Sequence, residues 1–330
     1  MSNIKEFNTR LLMENLENHL KQFHYGEYPV ELYQPISYIM NLGGKRIRPL
    51  LTLLAYSLYK QDYKSILTPA TAIEVFHNFT LMHDDIMDKA PLRRGEQTVH
   101  EKWNANTAIL SGDVMLVKAY DMLLEIDPII LPSILKKFNK TAAEVCEGQQ
   151  LDMTFEQLED VSEHDYIEMI KLKTAVLLGF SLEFGALLAG ASDHDAQSLY
   201  NFGVNIGIGF QLKDDLLDVY ADKAKFGKQV GGDIMSNKKT FLLIKAKELA
   251  NSHQKLLLSS FMKMQAVDNE KKVKEVTAIY DELNIKPLTE KKMASYFQNG
   301  FDQLSAIQVN NPAVLQQLIQ LTEDLINREK

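Results

Sequence analysis

The stretch that decides the fold is TAIEVFHNFTLMHDDIMDKAPLRRG, Thr71 to Gly95. Ala72, Ile73, Val75, Phe76, Phe79, Leu81, Met82, Ile86 and Met87 recur at helical spacing and make the segment apolar around much of its circumference. Such a helix belongs in a protein interior. Yet it ends on Asp84, Asp85 and Asp88, at i, i+1 and i+4, which fall within about 100° of arc on a helix. Like charges so placed repel and weaken an isolated helix. A hard cation resolves the repulsion, because magnesium takes one or two carboxylates and completes its shell with water and phosphate oxygens. Arg93 and Arg94 follow at once, and guanidinium is the side chain of choice for phosphate. The segment predicts acids that hold a metal, a metal that holds phosphate, and arginines that hold the remaining oxygens.

A second segment repeats the pattern. In GFQLKDDLLDVYAD, Asp214, Asp215 and Asp218 again stand at i, i+1 and i+4 on an apolar helix. One such triad is weak evidence and is most often a solvated acidic face. Two of them, far apart in sequence, imply several magnesium ions around one diphosphate. The basic residues complete the pattern. Gly43-Gly44-Lys45-Arg46-Ile47-Arg48-Pro49 places backbone amides and cations at a helix start, an anion site. Lys173-Thr174 lies on a long apolar helix, and Lys228 and Lys238 flank the loop GKQVGGDIMSNK.

The rest of the chain supports one fold class. Apolar residues recur every three to four positions in nearly every window, for example Leu51, Leu54, Ala55 and Leu58, and strand-like alternation is not sustained. Pro29, Pro35, Gly43-Gly44, Pro49, Pro69, Pro91, Pro128, Gly190, Gly227, Gly231-Gly232 and Pro287 read as breaks between helices. Ser162 with Asp165 reads as a capping box, opening the helix that carries Lys173 and ends at Gly190. No linker and no fixed-period repeat appears. The expectation is a single all-α domain, residues 1–330, around a central cavity.

Composition narrows the function. The net charge of −8 over 330 residues argues against a nucleic-acid partner. A single cysteine, Cys146, permits no internal disulfide and fits a cytoplasmic protein. The first residues read as an amphipathic helix, not a secretory signal. The apolar run Thr174–Ala191 carries Glu183 at its middle, so it reads as a buried core helix and no integral membrane segment is expected.

In order, GGKRIRP, DDIMD with LRRG, LKT, GFQLKDDLLD and GKQVGGDIMSNKKT resemble the trans-prenyl diphosphate synthases, from about residue 30 to residue 245. The resemblance implies an isoprenoid synthase-like helical bundle, usually a homodimer, that joins isopentenyl diphosphate to an allylic diphosphate. It implies three magnesium ions per site, replaceable by manganese. Asp84, Asp88 and Asp214 become the principal metal ligands, with Asp85, Asp215 and Asp218 assisting. Lys45, Arg48, His77 and Arg94 correspond to the isopentenyl diphosphate site. Arg93, Lys173, Thr174, Gln211, Lys228 and Lys238 correspond to the allylic site. Of these, Arg93, Lys173, Gln211 and Lys228 join Asp84, Asp88 and Asp214 as the catalytic set.

The same resemblance bears on product length. The growing chain is expected to run beside the first aspartate helix, where Phe76, Phe79 and Thr80 wall it. An aromatic at Phe79, Thr80 in place of a second aromatic, and no insertion between the second and third aspartates resemble the geranylgeranyl type, with a farnesyl product as the alternative. A class I terpene cyclase fits less well, because GGKRIRP and the second triad are foreign to it. A di-iron bundle would need more than the one Glu-x-x-His step at Glu74 and His77. A non-catalytic partner subunit would tend to have lost aspartates, and this chain keeps six.

Overall fold

The computed structural model describes residues 8–221, 231–262 and 269–327. Among them the regular elements are helices, except for one two-stranded ribbon. The all-α expectation holds. Contacts gather into two compact units. The first comprises Met1–Lys140, Phe180–Tyr200 and Ile307–Gln320, and the second Thr141–Gly179, Asn201–Ala306 and Leu321–Lys330.

In the first unit, the amphipathic start folds as the helix Thr9–Gln22. Asn8 caps it, and Leu12, Leu16 and Leu20 are buried along one face. Each such leucine contributes roughly 1.5–3 kcal/mol of burial free energy. The helix Leu67–Met87 carries the first aspartate triad and packs along Ala105–Leu123. Its residues from Pro69 to Phe76 are all buried, and burial becomes intermittent toward the aspartate end. Several prolines read as breaks lie inside helices. Pro49, Pro69 and Pro287 are third residues of Ile47–Ser57, Leu67–Met87 and Ile285–Leu304. A missing N–H is harmless in a first turn, where no intrahelical acceptor exists for it. Pro35 is deeper, within Val30–Asn41.

In the second unit, Ser162 caps Glu163–Ile170, accepting from the Asp165 amide at 3.1 Å and donating to the Asp165 carboxylate at 2.7 Å. The chain then passes through a π-helical turn, Lys171–Ala175, before Val176–Leu188. Gly190, which belongs to the first unit, follows this helix at φ +78 with the Ala191 amide bonded to the Ala186 carbonyl, so the expected end is observed. The helix Asp193–Tyr220 carries the second triad. Leu242, Leu243, Ala246, Leu258, Val276, Ile279, Tyr280 and Ile285 form a core against its last turn at Val219.

The apolar run is buried as expected, and Glu183 within it is paired with Lys137 at 2.5 Å. No described helix is long and apolar enough to cross a membrane.

Candidate active site

The first triad lies at the end of Leu67–Met87. Asp85 is 2% exposed, Asp84 is half-buried and Asp88 is exposed. Arg93 reaches back to Asp85, its Nε at 2.8 and 2.9 Å from the two carboxylate oxygens and its Nη2 at 2.7 Å from one. The arginine is delivered by a short antiparallel ribbon. Leu92–Arg93 pairs antiparallel with Glu96–Gln97 across the turn Arg94-Gly95, where both residues have positive φ. That is the two-residue hairpin turn whose twist matches its strands. The Tyr38 hydroxyl donates to the Gln97 carbonyl at 2.8 Å, and the Thr98 hydroxyl to the Ala90 carbonyl at 2.8 Å, pinning the ribbon.

The same turn sends Arg94 to the double glycine, where its guanidinium donates to the Gly43 carbonyl. A Cβ on Gly44, at φ +133, would come within 2.8 Å of that guanidinium. The glycine therefore makes room for the arginine as well as for the turn. Arg48 is beside His77, with Nη1 to Nε2 at 3.1 Å. A guanidinium only donates, so Nε2 accepts and the imidazole is neutral. Burial holds the His77 pKa well below the usual histidine range, helped by Arg48, Arg94, Arg93 and Arg46 around it. Burial brings Arg48 itself down to about 10. Lys45 is exposed at the same helix start. Arg46, in contrast, is only 4% exposed and bonds to Glu74 at 2.7 Å, within the motif but serving the core. Glu74 is thereby engaged with an arginine, and the Glu-x-x-His step holds no metal geometry.

Phe76 is 1% exposed, its ring against Phe79 at 5.7 Å and Phe138 at 5.1 Å. Phe79 is half-buried and meets His83 edge-on at 4.8 Å. The Thr80 hydroxyl donates to the His77 carbonyl at 2.8 Å.

In the second unit the middle aspartate is again the buried one. Asp215 is 6% exposed, Asp214 is exposed and Asp218 is half-buried. Asp215 accepts from the Tyr166 hydroxyl and from the Phe241 amide at 3.3 Å. Burial pushes its carboxyl up to about 7 against the lowering effect of the tyrosine bond. Asp218 accepts from the Asp233 amide at 3.0 Å. Burial also raises the Asp233 carboxyl, opposed by Lys238 and assisted by Asp218, Asp152 and Asp214. Asp152 was not singled out by the sequence. It pairs with Lys173 at 2.6 Å. Gly148, one turn earlier on Leu131–Gln157, would place a Cβ 2.1 Å from the Lys173 amide, so only glycine permits this approach to the π-helical turn. The spacing Gly148-x-x-x-Asp152 was the available signal. Thr174 and Gln211 are half-buried, Lys238 is exposed, and Lys228 lies outside the described residues.

The donor set fits magnesium. Each triad offers carboxylate oxygens at i and i+4 on one helix face, while the protein itself satisfies the middle member. Among the described residues no three His, Cys, Asp or Glu side chains are grouped to hold a metal ion by themselves.

The Polyprenyl synthetase family model matches residues 29–280, and the chain belongs to that family of prenyltransferases. It is 39% identical over 305 residues to the geranylgeranyl diphosphate synthase of Methanosarcina mazei, with 91% of each chain covered. It is also 39% identical over 238 residues to the geranylfarnesyl diphosphate synthase of Natronomonas pharaonis, covering 67% of this chain and 70% of that one. A crystal structure of a geranylgeranyl pyrophosphate synthase superimposes with a TM-score of 0.89 at 40% identity, covering 100% of both chains.

Proposed function

We propose that the chain condenses isopentenyl diphosphate head to tail with an allylic diphosphate and releases geranylgeranyl diphosphate. The observation that carries this reading is the repeated triad, in which the middle carboxylate is buried and bonded while its neighbours at i and i+4 are more open to solvent. The family and the names of the similar proteins support it.

Magnesium, when bound by Asp84, Asp88 and Asp214 with help from Asp85, Asp215 and Asp218, supplies positive charge that stabilises the departing pyrophosphate. We assign three ions to the site, with manganese as a substitute. Lys45, Arg48 and Arg94 bind isopentenyl diphosphate, and neutral His77 orients Arg48 by accepting a hydrogen bond from its Nη1 at Nε2. Arg93, Lys173, Lys228 and Lys238 bind the allylic diphosphate and stabilise charge as its carbon–oxygen bond breaks. Thr174 and Gln211 turn oxygen dipoles toward the resulting allylic cation. The double bond of isopentenyl diphosphate attacks that cation, and a proton leaves to pyrophosphate. Apolar walls exclude water that would quench the cation to an alcohol.

We assign the working form as a cytoplasmic homodimer, one catalytic domain per chain. Ile109, Leu110 and Val117 are 42%, 58% and 58% exposed on the helix Ala105–Leu123, with Leu124 at 62% one heptad beyond Val117. An apolar stripe of this kind is suited to a second copy.

The test is incubation of the purified protein with magnesium, isopentenyl diphosphate and five-, ten- or fifteen-carbon allylic diphosphates, with a chelator control. Mass spectrometry should find a magnesium-dependent twenty-carbon product. A fifteen-carbon end point keeps the reaction and overturns the length. No condensation with any starter overturns the reading. The variant Phe76→Ala with Phe79→Ala should extend the product by at least one five-carbon unit, and an unchanged product would place the wall elsewhere.

A further inference from the structure

Lys272, on the helix Asn269–Glu282, is 3% exposed, an uncommon position for a lysine. Among the described residues its ammonium meets no carboxylate. It donates to the Met235 carbonyl at 3.1 Å and to Asn237 Oδ1 at 2.6 Å. Burial lowers its pKa. A small cavity of about 20 Å³ adjoins it, lined also by Asp233, Lys238, Thr240 and Tyr280, with space for one water to take the third proton.

The two acceptors belong to the turn that serves the second triad. The Asp233 amide donates to Asp218 Oδ2 at 3.0 Å, and the Gly231 amide to the Asp218 carbonyl at 2.7 Å. The Lys238 amide donates to the Asp233 carbonyl at 2.9 Å. Asn237, at φ +58, reverses the chain between them, and its side-chain amide donates to the Met262 carbonyl at 3.0 Å. Lys272 thus grips this turn at Met235 before the reversal and at Asn237 on it. An apolar side chain of similar length would be buried there without desolvating a charge.

We propose that Lys272 is a positioning residue: it fixes the turn Met235–Asn237, and through that turn sets Asp218 and Lys238 for the allylic diphosphate. The inference rests on the reaction proposed above. Residues that orient metal-binding groups typically change metal affinity or activity by about 10–100-fold when replaced.

The test uses Lys272→Met, Asn237→Ala and the double variant. Hydrogen exchange, followed by mass spectrometry on the magnesium-free protein, should quicken over residues 231–241 and not in the helix Ile285–Leu304. Steady-state kinetics should show KM for the allylic diphosphate and the magnesium requirement rising about tenfold, with KM for isopentenyl diphosphate within about twofold of wild type. The double variant should lose less than the two single losses combined, because both remove the Lys272–Asn237 bond while each also removes one of its own. Unchanged exchange and unchanged allylic KM would overturn the proposal. So would an equal rise of both KM values with faster exchange everywhere, the mark of general destabilisation. If the wild-type protein itself fails to condense, the reaction falls, and exchange still decides whether Lys272 holds the turn.

Discussion

Asp84–Asp88 and Asp214–Asp218 share one spacing and a buried middle member, yet those middle carboxylates are satisfied in opposite ways. Asp85 is met by a guanidinium from a hairpin eight residues further on. Asp215 is met by a tyrosine hydroxyl from a helix 49 residues earlier and by a backbone amide. The first arrangement keeps a charge in the interior by pairing it. The second admits a protonated carboxyl, whose pKa burial lifts to about 7. Helical spacing settles which carboxylates share a face, and the surrounding chain settles how the inward one is neutralised.

The largest effects should come from the outward members. Asp84→Ala and Asp214→Ala should each lower kcat by about 10²–10³-fold, the range for loss of one electrostatic stabiliser of a developing charge. Circular dichroism should show the helix content intact. Near-normal turnover from either variant would remove that cluster from the reaction.

The inward members should differ in stability. Arg93→Met strands a buried carboxylate and should cost about 3 kcal/mol, toward the low end for such a break because Arg93 is 24% exposed. Tyr166→Phe should cost about 1–2 kcal/mol, because Asp215 keeps the Phe241 amide and can take up a proton. Denaturant unfolding compares the two. Equal losses would show that the two inward carboxylates depend on their partners alike.

The smallest effect concerns pH. The folded pKa of His77 lies below the ordinary histidine value, so the unfolded chain binds the extra proton first. Its contribution to stability is full above about pH 6.5 and declines as the pH falls from there toward the depressed value. His77→Gln should flatten that part of the stability profile, and an unaltered profile would show that other groups set it.

Legibility varied with the range of the interaction. The helix around Ser162 and the buried run with Glu183 were read correctly, because capping and periodicity act within a few residues. Pro35 was misplaced, since it lies inside Val30–Asn41, whereas Pro49, Pro69 and Pro287 mark helix starts from within the first turn. The Arg94-Gly95 hairpin was missed because its strands are only two residues each, too short for alternation. Asp152, Tyr166 and Lys272 were missed because their partners are 21, 49 and at least 35 residues away.

The sequence by itself determined the class of the fold, the two aspartate triads and the basic motifs that place the chain among prenyltransferases, since all of these are patterns of residue type at short spacing. Only the tertiary structure decided that Arg46 serves the core while Arg48 faces His77, and that Arg93 is bound to Asp85. It also decided that a lysine from a distant helix holds the turn beside Asp218. The physical reason is common to all of these. A buried charge must find its partner wherever packing brings one, and short-range periodicity carries no record of which distant segment that is.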